Sequence, residues 1–393
     1  MFNRIAGHGQ SLAIIGTPYS GKTTLLHYSV LADAAREQLK EHPLTHCFAT
    51  VNARGCDADF SRNDFWKTVL SSLGEIPEDA PETTRNIVRQ AQQDYLQSDF
   101  SHFSLERVLE RLQTANIRLV MLIDDFDVLL SHPQLGDAEF FGSLRSLVTR
   151  SQGALVLAIS SCLPLSELNR KAYRSSHVGS PYFNFLNEVV LPTWNDEEVE
   201  TLLAQGASRF QTEDKCFIRH LGATQPWLLK TTAAAVWRAY DAAAPQEAQQ
   251  RLYKAATYAY PNIDKHFSAN WSYWTEAMRL VLISLALQQP PFNREISNQH
   301  ELAPVLQNDG FTPELRALHK QGMITASPTC PSGWQLYPHA LRWWLWKKIQ
   351  CWGQELPTLN VHLINQQTPS DMTRPQWQHF SRIAHAVHLT ATT

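Results

Sequence analysis

The sequence predicts an α/β fold, in which a parallel sheet is flanked by helices, followed by a mainly helical second half. Two stretches carry this prediction: a glycine-containing turn between a strand and a helix at residues 12–28, and an apolar strand that ends in acidic residues at 117–127. Helical periodicity replaces the alternation of strands and helices after Asn195. Strands that alternate with helices are typical of parallel sheets covered on both faces.

The first stretch fits the phosphate-binding pattern G-x-x-x-x-G-K-[ST], the P-loop, without a mismatch. The apolar run from Leu12 to Ile15 reads as a buried strand and Thr24 begins a helix, so the turn has the flanks that the motif needs. Backbone N–H groups in such a turn point at a phosphate, and the helix dipole favours the anion. We therefore expect the whole loop to bind ATP or ADP: Gly16, Thr17, Pro18, Tyr19, Ser20, Gly21, Lys22, Thr23 and Thr24.

Two side chains of this loop have predicted chemical roles. Lys22 is expected to face solvent and to neutralise the β- and γ-phosphates, which makes it a catalytic residue as well as a binding residue. The hydroxyl of Thr23 is expected to coordinate Mg²⁺. ATP and Mg²⁺ are therefore the predicted cofactors.

The second stretch, 117–127, is an uninterrupted apolar strand that ends in three acids. A parallel strand buried on both faces delivers such a carboxylate to the edge of the sheet where nucleotide binds, as in a Walker B motif. We expect Asp124 to be the Mg²⁺ carboxylate and Asp125 to act as a catalytic base or to orient water. Asp127 is expected to cap the turn that follows it.

Three more strands are predicted at 45–52, 154–161 and 188–192, with a helix at 139–150 before the second of them. Ser160 or Ser161, at the end of a buried strand, lies where a hydroxyl can sense the γ-phosphate. Arg145 and Arg150, on the preceding helix, can project toward a neighbouring subunit's nucleotide as an arginine finger or form surface salt bridges. Both alternatives stay open here.

The second half is predicted to contain a helical lid and a winged-helix domain. The expected boundaries are 1–193 for the P-loop domain, 194–270 for the lid, 271–353 for the winged helix and 354–393 for a tail. The winged helix is inferred from a helix at 275–289, a helix ending at Gly322, a hairpin around 328–333 and a closing helix from His339. The closing helix is predicted to pack Leu341, Trp344, Leu345 and Ile349 inward. Trp343 and Trp346, on its other side, are predicted to lie either under the tail or on a partner surface.

The composition argues against several classes of protein. The formal net charge of −3 over 393 residues gives no overall attraction to nucleic acid. The six cysteines have no C-x-x-C spacing, which argues against a zinc site or a disulfide framework and favours a reducing cytoplasm. No apolar run reaches the length of a membrane span, so no membrane partner is expected.

Taken together, these motifs resemble the STAND-type signal-transduction ATPases of the AAA+, origin-recognition-like group, especially bacterial members with ATPase, lid and winged-helix regions. The matching stretches are GTPYSGKTT at 16–24, VMLIDDFD at 120–127, FFGSLRSLVTRS at 140–151, PYFNFLNEVVLPTWNDEEVETLL at 181–203, HLGATQPWLL at 220–229, RALHKQGMI at 316–324 and WQLYPHALRWWLW at 334–346. The resemblance covers about residues 10–350.

The resemblance implies an ASCE-type sheet with strand order 5-1-4-3-2. It also implies that Ser160 or Ser161 is sensor 1, that Arg145 is the arginine acting in trans, and that Pro226 contacts adenine or ribose. This chain departs from the family in two respects: the linker with a Gly-Arg-x-x-Glu motif is missing before the P-loop, and only Lys230 lies near Pro226 where AAA+ enzymes have a sensor 2 arginine. Asp125, where most AAA+ enzymes have Glu, suits slow hydrolysis.

The predicted function is an ATP-binding and slowly ATP-hydrolysing switch that couples nucleotide state to self-association or to a partner protein. The main alternative is a DNA-binding ATPase of the initiator or transposition type, which would use the winged helix. Its candidate recognition helix offers Arg316, His319 and Lys320, a small set for phosphate and base contacts. A small-molecule kinase is disfavoured because the lid is followed by a wing and not by a substrate pocket.

Overall fold

A computed structural model describes residues 3–31, 42–74, 81–97, 101–176, 181–241, 247–289, 311–330 and 332–355. The chain divides into two compact units. The first comprises Met1–Thr17 and Gly21–Leu191, and the second comprises Pro18–Ser20 and Pro192–Thr393. No helix in the described part of the chain is long and apolar enough to cross a membrane.

The first unit is built on a five-stranded parallel sheet. Its strands are β1 (Leu12–Ile15), β2 (Thr45–Asn52), β3 (Ile117–Asp124), β4 (Leu155–Ser161) and β5 (Asn187–Val190). Their spatial order is β2-β3-β4-β1-β5, which confirms the predicted order 5-1-4-3-2. Every residue of β1, β3 and β4 is buried, as expected for central strands covered on both faces.

The strand register brings the ends of the central strands together. Ile15 pairs with Ser161, and Ile123 pairs with Ile159. The residues that follow β1, β3 and β4 therefore meet at the carboxyl edge of one sheet. This edge is where open parallel sheets bind their ligands.

Six described α-helices belong to this unit: α1 (Lys22–Leu31), α2 (Arg62–Ser71), α3 (Glu82–Leu96), α4 (His102–Thr114), α5 (Ala138–Arg150) and α6 (Leu165–Ser176). Local capping explains several of their first residues. Ser61 and Asp64 form a capping box at α2, and Asp137 accepts the Phe140 N–H at α5. The helices predicted between residues 57 and 110 are thus present, while Pro77–Ala80 of the predicted loop lie outside the described residues.

The second unit is mainly helical. Its helices are α7 (Asp196–Gln205), α8 (Thr212–Gly222), α9 (Pro226–Asp241), α10 (Ala248–Tyr273), α11 (Glu276–Gln288), α12 (Thr312–Lys320) and α13 (His339–Glu355). Asn195 caps α7, because its side chain accepts the Glu198 N–H and its own N–H donates to the Glu198 carboxylate. The predicted lid boundary at 270/271 falls within α10, and the division into lid and winged helix stays a prediction.

An antiparallel hairpin of β6 (Ile324–Ala326) and β7 (Trp334–Leu336) precedes α13. Gly322 follows the end of α12 and has a φ of +67°, a conformation that favours glycine. Its N–H donates to the His319 carbonyl. The predicted inward face of α13 is confirmed, because Leu341, Trp344 and Leu345 are buried. Trp343 and Trp346 are partly buried and also pack against this core, while Trp352 and the tail are outside the described side chains.

Candidate nucleotide-binding site

The P-loop begins where β1 ends. The Gly16 N–H donates to the Ser161 carbonyl at 3.1 Å, which ties the start of the loop to β4. Gly21 has a φ of +98°, a backbone conformation that side chains rarely adopt, so glycine is required at this position. The buried Ser20 hydroxyl has no hydrogen-bond partner among the described residues, as expected for a group that a ligand satisfies.

Lys22 lies inside the loop, and the prediction that it faces solvent is wrong. The residue is 5% exposed, and its Nζ donates to the Gly16 carbonyl at 2.9 Å and to the Thr17 carbonyl at 3.0 Å. A third contact joins Nζ to Cys162 Sγ at 3.4 Å. The Lys22 ammonium group can be buried because backbone carbonyls of the curled loop accept its hydrogen bonds. A bound phosphate could accept the same hydrogen bonds in their place.

Asp124 connects the P-loop to β4. The Thr23 hydroxyl donates to Asp124 Oδ2 at 2.7 Å, and the Ser160 hydroxyl donates to Asp124 Oδ1. Hydroxyl and carboxylate oxygens are the ligands that Mg²⁺ prefers, and this pair lies beside the phosphate-binding loop. The donor set therefore fits Mg²⁺, and the assignment of Thr23 and Asp124 as its ligands stays a prediction.

Ser160 and Ser161 have different surroundings, although the sequence leaves them as alternatives. The Ser160 hydroxyl accepts the Asp125 N–H at 2.9 Å as well as contacting Asp124, so it positions both acids. The Ser161 hydroxyl bonds the backbone of Leu163, where it caps the end of the strand. Ser160 is thus the hydroxyl at the acidic edge, and its contact with a γ-phosphate stays a prediction.

Asp125 leaves the sheet in a left-handed conformation, with a φ of 53° and a ψ of 43°. Asp tolerates this region better than most residues. Its carboxylate is partly exposed and accepts a hydrogen bond from Arg54 Nε at 2.5 Å, in an ion pair between the ends of β2 and β3. The acid predicted to act on water is therefore held by a cation of the same chain.

Asp127 does not cap the turn after it, so that prediction is wrong. Its Oδ1 accepts the Cys162 N–H at 3.0 Å, because the left-handed turn at Asp125 directs Asp127 back toward the end of β4. Burial raises the pKa of the Cys162 thiol to about 11. Ligand atoms of Asp125, Asp127 and Cys162 all lie within 4.8 Å of one another.

The two arginines of α5 have partners in their own chain. Arg145 is half-buried, and its Nη1 donates to the Pro181 carbonyl at 3.1 Å. Arg150 is exposed and pairs with Glu106 at 2.8 Å, which agrees with a surface salt bridge. The predicted role of Arg145 in trans stays a prediction.

The remaining predicted residues lie in the second unit. Pro226 is the first residue of α9, and the Lys230 ammonium lies 5.4 Å from the centre of the Trp194 ring. On α12, the His319 Nδ1 lies 3.2 Å from the Ile324 carbonyl and its ring is 5.4 Å from that of Trp334. The contact of Pro226 with a nucleotide and the contact of α12 with DNA stay predictions.

Arg54 and Cys162 are the residues at this edge that the sequence analysis missed. Both follow strands that the sequence does predict: Arg54 lies two residues after β2, and Cys162 lies directly after β4. In a parallel sheet such positions meet the residue that follows the neighbouring strand. Position at a strand end, combined with the expected strand order, is the signal that could have identified them.

Residues 5–164 match the family model described as an AAA domain. The Walker-type ATPase of Pyrococcus abyssi has a similar structure, with a TM-score of 0.50, 14% sequence identity and coverage of 86% of this chain and 92% of that chain. No curated protein sequence matches this chain.

Two further solved structures are similar at lower TM-scores. The Aeropyrum pernix ORC2 protein, in ADPNP–ADP complexes, gives a TM-score of 0.42 at 16% identity over 88% of this chain and 91% of that chain. A STAND protein with a tetratricopeptide repeat sensor from Pyrococcus horikoshii gives 0.33 at 14% identity over 99% of this chain and 47% of that chain. The family match over residues 5–164 and the strand order support a P-loop domain of the AAA type in the first unit, and the P. abyssi structure has a similar fold. The narrower assignment to bacterial STAND proteins stays a prediction.

Proposed function

We propose that this protein is an ATP-binding and slowly ATP-hydrolysing switch, whose nucleotide state controls self-association or the binding of a partner protein. The observation that supports it is the hydrogen-bonded connection from Thr23 through Asp124 to Ser160, beside Lys22. This connection joins the P-loop to the acidic strand end and to the neighbouring strand. The arrangement suits a nucleotide whose phosphates contact all three.

Each residue has a role in this proposal. Lys22 leaves its carbonyl partners to bind the β- and γ-phosphates, and Thr23 and Asp124 hold Mg²⁺, which neutralises phosphate charge when bound. Asp125 orients water or accepts its proton, and Ser160 positions Asp124 and Asp125. A nucleotide can bias a switch only through contacts made in one state and absent in the other, and the γ-phosphate provides such contacts.

The ion pair between Arg54 and Asp125 gives the switch a resting state. While Arg54 Nε holds the carboxylate, Asp125 has one fewer lone pair with which to accept a proton from water. Arg54 is 55% exposed and Asp125 is 19% exposed, so the pair can separate at modest cost. Slow hydrolysis follows if Asp125 must first leave Arg54.

Loss of the Lys22 ammonium group tests the nucleotide site. We expect Lys22→Ala to weaken Mg-ATP binding by about 100-fold or more, because charge-assisted hydrogen bonds contribute about 1.5–3 kcal/mol each. Calorimetry measures the affinity, and circular dichroism checks that the fold survives. Lys171→Ala, which removes an exposed lysine on α6, is the matched control. Wild-type affinity in Lys22→Ala would refute the site assignment.

Removal of Arg54 tests the resting state. We expect Arg54→Ala to raise steady-state ATP hydrolysis by up to about fivefold, the factor that corresponds to an exposed ion pair of about 0.2–1 kcal/mol. Arg54→Lys keeps the charge and serves as the control, with a rate near that of wild type. Phosphate release measures both. A rate in Arg54→Ala at or below the wild-type rate contradicts a restraining role for Arg54.

DNA binding stays the alternative function. Arg316, His319 and Lys320 are exposed on α12, a small basic set on a chain with a formal net charge of −3. Phosphate contacts by lysine and arginine make DNA affinity fall steeply with salt. A salt titration of binding to duplex DNA therefore discriminates between the two functions, and affinity that responds to salt and is lost in Arg316→Ala favours the DNA-binding alternative.

A further inference from the structure

Asp125, Asp127 and Cys162 form a cluster of three metal-ligating side chains that is separate from the Thr23–Asp124 pair. Each offers a ligand atom within 4.8 Å of the other two. We propose that this cluster binds a thiophilic divalent cation of the Zn²⁺ type, and that the bound cation stops ATP turnover. The inhibitory step rests on the proposed function, whereas the binding site does not.

The separations are close to what zinc requires. Tetrahedral Zn²⁺, with about 2.3 Å to sulfur and about 2.1 Å to oxygen, places sulfur and oxygen ligands about 3.6 Å apart. The ligand atoms of the cluster lie within 4.8 Å of one another, so small side-chain movements bring them to this separation. The hydrogen bond from the Cys162 N–H to Asp127 Oδ1 already fixes two of the three ligand residues against each other.

Two cationic side chains of the same chain already contact the cluster. The Lys22 ammonium donates to Cys162 Sγ at 3.4 Å, so the sulfur lone pair faces a cation within the site. Arg54 occupies Asp125 Oδ2 in the same way. A divalent ion can replace both protein cations at once, since its charge matches theirs. Asp125 is partly exposed, which leaves room for a water molecule as the fourth ligand.

The thiol selects the type of ion. Mg²⁺ binds oxygen ligands and keeps its waters, whereas thiolate ligands select softer ions such as Zn²⁺. The Thr23–Asp124 pair contains only oxygen donors and suits Mg²⁺, while the Asp125–Asp127–Cys162 cluster combines two carboxylates with sulfur. The edge therefore offers two cation sites of different chemistry. A metal ion coordinated by Asp125 occupies the carboxylate lone pairs that would orient water or accept its proton, so ATP hydrolysis stops.

Cobalt reports on the proposed site directly. We expect the full-length chain to bind Co²⁺ with one thiolate-to-cobalt charge-transfer band, and Zn²⁺ to displace it. Cys162→Ser should lose the band, and Asp127→Asn, whose amide oxygen can still accept the Cys162 N–H, should bind at least about tenfold more weakly. Cys56→Ser is the matched control, because Cys56 is a half-buried free thiol after β2. A band that persists in Cys162→Ser, or disappears equally in Cys56→Ser, overturns the proposed site.

Measuring ATP turnover distinguishes metal binding at the cluster from the proposed inhibition of hydrolysis. Phosphate release at saturating Mg-ATP should fall in wild type when one equivalent of Zn²⁺ is added, and Cys162→Ser should keep its own metal-free rate. Cobalt binding that depends on Cys162, together with turnover that ignores Zn²⁺, overturns the inhibitory step. A wild-type chain that binds cobalt but never hydrolyses ATP contradicts the proposed function and still supports the metal site.

Discussion

Arg145→Ala is expected to bind ATP with wild-type affinity and to hydrolyse it about 10³–10⁵-fold more slowly, because an arginine finger stabilises the transition state and contributes little to ground-state binding. The substitution removes one hydrogen bond to the Pro181 carbonyl in the same chain. A loss of this kind costs about 0.5–1.5 kcal/mol, so the fold is expected to survive. Calorimetry and phosphate release measure the two quantities.

A mixing experiment tests whether Arg145 acts in trans. Lys22→Ala lacks nucleotide but still carries Arg145, so a mixture of Lys22→Ala with Arg145→Ala should recover part of the activity that neither variant has alone. Arg150→Ala, on the same helix and paired with Glu106, is the control and should hydrolyse ATP normally. Normal hydrolysis by Arg145→Ala, or an inactive mixture at every protein concentration, would show that Arg145 is not an arginine finger acting in trans.

Asp125→Asn is expected to keep the wild-type affinity for ATP and to hydrolyse it about 10²–10⁴-fold more slowly, the usual contribution of general acid–base catalysis. Asparagine has the same shape and can still bond Arg54, so the turn after β3 is retained. Asp124→Asn should instead weaken the dependence of ATP binding on Mg²⁺, because Asp124 faces Thr23.

Phosphate release under single-turnover conditions, with a magnesium titration, distinguishes the two acids. Asp59→Asn, at an exposed acid in the same unit, is the control for a general loss of charge. If Asp125→Asn releases phosphate as fast as wild type, Asp125 has no part in the chemistry.

The sheet and the phosphate-binding loop could be predicted because their patterns are local. A strand buried on both faces is apolar throughout, as β3 and β4 are, and the P-loop is a contiguous pattern that one strand and one helix position. The strand order came from the resemblance, and it is confirmed. Gly322 and the inward face of α13 were predictable for the same reason, since caps and helical periodicity are short-range properties.

The errors and omissions concern contacts between residues far apart in sequence. The sequence predicts that Asp127 caps its own turn, whereas its carboxylate accepts the Cys162 N–H. The left-handed conformation of Asp125, two residues earlier, is not indicated by any sequence pattern. The partner of Asp125 is Arg54, 71 residues earlier in the chain. The sequence predicts a solvent-facing Lys22, because sequence patterns do not report which backbone carbonyls a side chain can reach.

The central claim is that ATP changes the self-association of this chain. Size-exclusion chromatography with light scattering tests it most directly, on Asp125→Asn with ATP, to hold the triphosphate, and on wild type with ADP and without nucleotide. We expect a multiple of the 44.7 kDa chain mass with ATP and a smaller assembly in the other two conditions. A mass that stays the same in all three conditions, while calorimetry shows ATP bound, would contradict the control of self-association by nucleotide.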